Sequence, residues 1–313
     1  MKYRLVFFGT SDFSVPSLEA LIQSDDFDVV GVVTKIDALI GRKQVLTSPI
    51  IKKIAEKNNI PVLQPRKLKE VNFQDKLRSW KADVFVVVSY GKILPSSVLG
   101  IPKYGVINVH GSLLPRWRGA SCVQSAIVNG DLETGITIME MDEKMDHGAI
   151  IAQFKVKIPS YITGGELHDE LALLGGKVLP DVLKKYLNKE IIPHEQDESQ
   201  VTFCKLLSRS DGEIDWTKTK KELIDFVRGF NPWPGTWTQY QGQRVKIFKL
   251  QDCEVKKEFE VKNNSIGEWM ILDNKLCVKA LDGWLQILEL QFAGHKKITG
   301  KQYLSGLQGK INN

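Results

Sequence analysis

The sequence predicts an α/β fold, an open, mostly parallel, Rossmann-like sheet, followed by a small antiparallel β-barrel of OB type. Three observations carry this expectation. Through the first half, short β-branched or aromatic runs alternate with amphipathic stretches, the pattern of a parallel sheet covered by helices on both faces. The polar stretch KEIIPHEQDESQ (189–200) then breaks all periodicity. Beyond it, short strands separated by turn residues replace the alternation. A chain of 313 residues, 42% apolar and 26% charged, is long enough for two such cores. The expected division is a catalytic domain over 1–188, a linker over 189–204 and a barrel over 205–313.

In chain order, RLVFFG (4–9) is a strand and VPSLEALIQS (15–24) a helix, its proline suited to the first turn. DVVGVVT (28–34) is the next strand. A long insert, TKIDALIGRKQVLTSP (34–49), separates it from the helix SPIIKKIAEKNN (48–59). PVLQP, LKEVNFQDKLRSW and ADVFVVVSYG continue as strand, helix and strand, and VINVHGS (106–112) and SCVQSAIVNG (121–130) as strand and helix. ITIMEMD and IIAQFKVKI form a pair of extended segments. Residues 163–188 read as one amphipathic helix that Pro180 is expected to kink or divide. After the linker come DGEIDW, a helix in KTKKELIDFVRGF, the turn NPWPG and four short strand regions.

Charge is uneven along the chain. Lys205 to Asn313 holds 18 basic and 13 acidic residues, and so carries +5 of the net +6. An excess of this kind suits a polyanion such as nucleic acid, and equally suits a well-solvated surface. The four cysteines (122, 204, 253, 277) form no C-x-x-C pair, so reduced structural thiols are expected. No apolar run approaches the roughly 18 residues of a membrane span, and a cytoplasmic monomer is expected, without membrane contact.

The chemistry concentrates in GVINVHGSLLPRWRGA (105–120). Asn108 and His110, two apart on a strand, project from one face. The following Ser112 to Pro115 should line the same crevice, since ligands of open α/β sheets bind off the carboxyl ends of the strands. Downstream, MDEKMDHGAI offers Asp142, Asp146 and His147, of which Asp146, before a glycine turn, is the carboxylate expected to reach His110. This set suits acyl transfer to an amine. His110 supplies a base, the Asn108 amide a neutral donor to the developing oxyanion, and the carboxylate orients the imidazole and favours its charged form.

Competing readings exist for each group. A lone histidine at a strand end is more often structural, and Asn-x-His alone is a weak signal. His110, His147 and Asp146 could instead ligate iron or zinc, but Asp146 and His147 are adjacent and would point apart, so no metal is expected. Ser112 lacks a G-x-S-x-G elbow, and FFGTSDFSVP lacks G-x-G-x-x-G. In the long insert, Lys35, Arg42 and Lys43 could grip phosphates. Arg116 and Arg118 could do likewise, with Trp117 stacking on a base, or that tryptophan could be an ordinary packed aromatic.

The segments FFGTSDFSVPSLEAL, VVSYGKILP, GVINVHGSLLPRWRGASCVQSAIVNGDLETGITIMEMDEKMDHGAII and DGEIDW…RGFNPWPGTWT together resemble the methionyl-tRNA formyltransferase family, over about residues 3 to 305. The N-x-H…D signature belongs to the wider group that uses 10-formyltetrahydrofolate, and NPWPG with the following barrel narrows the choice. The resemblance implies that Asn108, His110 and Asp146 are the catalytic trio and that Ser112, Leu113, Leu114 and Pro115 are the folate-binding loop. By the same resemblance Ile93 and Leu94 wall the pterin, and 10-formyltetrahydrofolate is the co-substrate. Arg42 and Lys43 would lie in the loop that enters the acceptor end of methionyl initiator tRNA, although ALIGRKQVL is one residue shorter and less basic than the family's form. The basic barrel would then bind tRNA. A sugar-nucleotide N-formyltransferase or a formyl-folate hydrolase sharing the first domain is the alternative, and an RNA-binding protein without catalysis a third reading, against which the intact trio argues.

Overall fold

The computed structural model describes residues 2–41, 43–254 and 265–311. They form two compact units. One comprises residues up to Cys122, Glu133–Lys157 and His168–Lys205, the other Val123–Leu132, Ile158–Leu167 and Leu206 onward.

The first unit is built from β1 (Tyr3–Gly9), α1 (Val15–Gln23), β2 (Phe27–Val33), β3 (Ala38–Ile40), β4 (Val45–Thr47), α2 (Ile50–Lys57), β5 (Val62–Leu63), α3 (Val71–Ser79), β6 (Val84–Val88), α4 (Ser96–Leu99) and β7 (Val106–His110). It continues with β8 (Arg118–Gly119), α5 (Cys122–Val128), β9 (Glu133–Glu140), β10 (Ile150–Lys157), α6 (Gly164–Leu187) and β11 (Phe203–Cys204), α5 and α6 each supplying residues to both units. Seven strands make one sheet in the order β10-β9-β7-β6-β1-β2-β5, parallel except where β9 and β10 run antiparallel. The order explains the strand sequences. The central strands β1 and β6 have both faces covered and are continuously apolar, with Leu5 to Phe8 and Val84 to Val88 all buried. At the edge, β10 starts with two buried isoleucines and then alternates half-buried and exposed residues from Ala152 to Lys157, as a strand with one wet face should.

Two elements differ from the sequence expectation. The insert 34–49 contains an antiparallel hairpin, β3 paired with β4, with Lys43 exposed in its turn. The helix is not divided at Pro180: α6 runs as one element from Gly164 to Leu187. Leu179, Val182 and Leu183 beside the proline are almost fully buried, and that burial outweighs one lost backbone hydrogen bond. Gly176 lets α6 lie flush on the start of α1, since a Cβ there would sit 2.6 Å from the Pro16 carbonyl carbon.

The second unit holds α7 (Lys220–Gly229), β12 (Thr236–Tyr240), β13 (Gln243–Cys253), β14 (Trp269–Leu272), β15 (Lys275–Ala280), β16 (Gly283–Phe292), β17 (Ile298–Thr299) and α8 (Gly300–Ile311). Thr219 and Glu222 form a capping box that starts α7. The strands form a six-stranded antiparallel sheet in the order β12-β13-β16-β15-β14, with β17 on β16. The sheet curls until Tyr240 of the first edge strand stacks on Trp269 of the last, ring centroids 4.1 Å apart. Trp216 of DGEIDW enters the core, its indole N–H donating to Thr238 Oγ1 at 3.0 Å. No helix among the described residues is long and apolar enough to cross a membrane.

Candidate active site

Strand β7 delivers the first two groups. Its period of two places Val109 against α6, 3.1 Å from where Gly175 would carry a Cβ, and turns Asn108 and His110 to the opposite face. Both are buried, at 8% and 7% exposure. Among the described residues the Asn108 carboxamide has no hydrogen-bond partner, although a buried amide ordinarily has one. Its N–H donors are therefore free for a ligand.

His110 is engaged at both ring nitrogens. Nε2 lies 3.0 Å from the Trp117 carbonyl and Nδ1 lies 3.8 Å from Asp146 Oδ2. Burial works against charge on the ring. The Cys122 sulfur hydrogen-bonded to it, the Asp146 carboxylate and the Trp117 carbonyl outweigh burial and raise the imidazole to about 9. The ring thus carries its proton at neutral pH.

Asp146 comes from the connection between β9 and β10, in the left-handed region at φ 48°. Its Oδ2 accepts from the Gly119 N–H at 2.8 Å. Gly119 itself is at φ 119°, with the Cys204 carbonyl oxygen where a side chain would begin, so only glycine fits there. His147 takes no part in this group. Its Nδ1 contacts Asp142 Oδ2 at 2.5 Å and its Nε2 lies 3.6 Å from Glu198. Among the described residues, no three His, Cys, Asp or Glu side chains stand together as metal ligands would.

The loop Ser112 to Pro115 is held from the neighbouring strands. Thr137 Oγ1 donates to the Ser112 carbonyl at 2.6 Å and accepts from the Leu114 N–H, and Gln153 donates to the Leu114 carbonyl at 2.8 Å. The Ser112 hydroxyl donates to the Arg116 carbonyl at 2.7 Å, a structural use. Leu113 packs over Gly135, while Leu114 is buried with Met139 and Ile150, so the two leucines anchor the loop differently. Pro115 follows a cis bond and is half-buried.

Ile93 and Leu94 border an open cleft of about 850 Å³ that Arg66, Lys69 and Lys92 make basic. Ile93 is 74% exposed, whereas Leu94 is sealed into the core beside Tyr90. Arg42 lies outside the described residues. Arg118 does not present itself to phosphates as its position beside Trp117 suggested: it is 3% exposed and committed to Gln196 and Glu198. Arg116 stacks on Trp117 with its guanidinium 4.6 Å from the ring centroid.

Cys122, Thr137, Gln153 and Gln196 also belong to this site, and no sequence motif marks them. A glutamine in the otherwise apolar start of β10 was the one available signal. Residues 189–204, expected to be a linker, lie within the first unit. His194 pairs with Ile150, and Phe203 and Cys204 run parallel to Arg118 and Gly119.

A donor amide, a proton-bearing imidazole and a carboxylate on one face of an open α/β sheet can carry an acyl group between two bound molecules without covalent attachment to the protein. The chain belongs to the formyl transferase family. The family model described as "Formyl transferase" matches residues 2–183, and "Formyl transferase, C-terminal domain" matches 206–308. Methionyl-tRNA formyltransferase of Acetivibrio thermocellus is 40% identical over 306 residues, 97% of this chain and 96% of its own. That of Bacillus thuringiensis subsp. konkukian is 40% identical over 310 residues, covering 98% and 97%. Among solved structures, an N-formyltransferase from Helicobacter canadensis in complex with folinic acid and dTDP-3-aminofucose shares the fold, with a TM-score of 0.66 and 18% identity over 95% of this chain and all of its own.

Proposed function

We propose that the chain transfers the formyl group of 10-formyltetrahydrofolate to the α-amino group of methionyl initiator tRNA, in the cytoplasm, for translation initiation. The observation that carries this reading is the unpartnered, buried carboxamide of Asn108 on the same strand face as a protonated His110. Near-full-length identity of 40% to methionyl-tRNA formyltransferases supports the acceptor. The neighbour with an amino-sugar nucleotide, at 18% identity, supports the fold alone.

The residues fit a formyl-folate. Asn108 offers unused donors, Leu94 and Leu114 give apolar backing, and Arg66, Lys69 and Lys92 suit the carboxylated tail of a folate. When bound, the donor supplies an electrophilic formyl carbon on a nitrogen leaving group. The free donors of Asn108, backed by the positive charge of the nearby His110 ring, then stabilise negative charge as it grows on the formyl oxygen. The sequence gives His110 the role of base, but an imidazole raised to about 9 already holds its proton. The proton lost by the attacking amine therefore goes to Asp146, whose Oδ1 accepts no hydrogen bond among the described residues, and passes on to the departing nitrogen.

In this reading the formyl-folate and catalytic domain is the first unit, and the basic region from Lys205 holds tRNA. Arg42 and Lys43 on the 34–49 insert meet the acceptor stem, and charge reversal at Arg42 raises the KM for tRNA more than that for the formyl donor. The test is a filter assay with labelled 10-formyltetrahydrofolate. Label on methionyl initiator tRNA supports the proposal; label on an amino-sugar nucleotide, or tRNA retained without label, overturns it.

A further inference from the structure

The segment after α6 does more than connect two units. Gln196 is 92% buried in a stretch that the sequence marks as polar and aperiodic, and all its hydrogen-bonding capacity is used. Its amide nitrogen donates to the carbonyls of Asp146 and Gly148, both at 2.9 Å. Its amide oxygen accepts from Arg118 Nε at 3.0 Å and Nη2 at 2.9 Å. Turning the amide over would break all four bonds, so its orientation is unique. Arg118, only 3% exposed, is held in turn by Glu198 at 2.6 Å.

The carbonyls that Gln196 binds belong to a turn in need of restraint. Asp146 is a non-glycine residue at φ 48°, a conformation that persists where the surroundings over-determine it. The same segment also fixes the other side of the site. The Trp117 N–H donates to Thr202 Oγ1 and the Arg118 N–H to the Thr202 carbonyl, both at 2.9 Å, placing the Gly119 N–H that receives the Asp146 carboxylate.

We propose that Gln196 is a positioning residue that fixes Asp146 against His110, with Arg118 as its clamp. The proposal rests on the reading that Asp146 and His110 do the chemistry. It assigns work to a side chain whose hydrogen bonds all go to other protein groups.

Two substitutions in the full-length enzyme test it. Gln196→Glu keeps an acceptor for Arg118 but loses both donations to the turn; Gln196→Met is neutral and loses everything. Both are expected to lower kcat by about 10–100-fold, the usual effect of removing an outer partner of a working group, with KM for both substrates within about twofold. In the Met variant the alkaline limb of the pH profile should also move down, because the carboxylate no longer stands by the imidazolium. Melting temperatures and Asp146→Asn run in parallel. Wild-type kcat in both Gln196 variants, with Asp146→Asn crippled, overturns the inference and leaves the site reading intact. Full activity in the Glu variant, with the Met variant failing only in step with its stability, overturns it as well. Wild-type turnover in Asp146→Asn overturns the site reading and this inference together.

Discussion

The N–H of Gly119 donates to Asp146 Oδ2 at 2.8 Å, and that same oxygen is the one 3.8 Å from His110 Nδ1. A backbone donor from β8 thus aims a carboxylate from the β9–β10 connection at the imidazole.

Replacing Asp146 with Asn keeps the shape and removes the charge. Turnover in single-turnover formylation should fall by about two orders of magnitude or more, the share of a positioned acid or base. The imidazolium of His110 loses a stabilising partner, so its NMR titration should move down from about 9 toward the ordinary histidine range. An unmoved titration would remove Asp146 from the electrostatics of the ring.

The raised His110 sets a direction for pH dependence. Protonated in the folded protein up to about 9 and in the unfolded chain only to about 6.5, the ring adds stability that is fully present below about pH 6.5 and is lost as pH rises through about 9. Urea unfolding at pH 6 and pH 10 should show the loss, and His110→Ala should flatten it. Activity should fall along the same alkaline limb.

Gly119→Ala meets the Cys204 carbonyl oxygen at a φ of 119°. Relief requires moving β8 away from β11, which carries the N–H away from Asp146. Destabilisation of roughly 2 kcal/mol or more is expected, with kcat reduced in the protein that remains folded. Thermal melts and active-site-normalised rates measure the two parts.

Arg66 in the basic cleft is exposed, so its pairing with a carboxylated tail is screened. Arg66→Glu should raise the KM for the formyl donor by about two- to fivefold and leave the KM for tRNA unchanged. An equal change in both would detach the cleft from the folate.

The sequence shows the central sheet because β1 and β6 carry continuous apolar runs, which only strands covered on both faces sustain. Asn108 and His110 are readable for a related reason: spacing of two fixes their common face. Asp146 needs a choice between it and Asp142, since a loop has no periodicity to announce where it folds back. Gln196 is illegible. Its partners include two main-chain carbonyls, which every residue type possesses, and its clamp, Arg118, reads in isolation as a phosphate ligand. Pro180 misleads in the opposite direction, because the rule it invokes is local and the burial that overrides it is not.

The hydrogen bonds that tie residues 115–119, 146–148 and 196–204 to one another all lie outside the seven-stranded sheet. Asp146 can therefore drift out of alignment with His110 while the strands stay paired. On heating, the enzyme should fall silent several degrees before circular dichroism registers any melting, and recover on cooling from that interval.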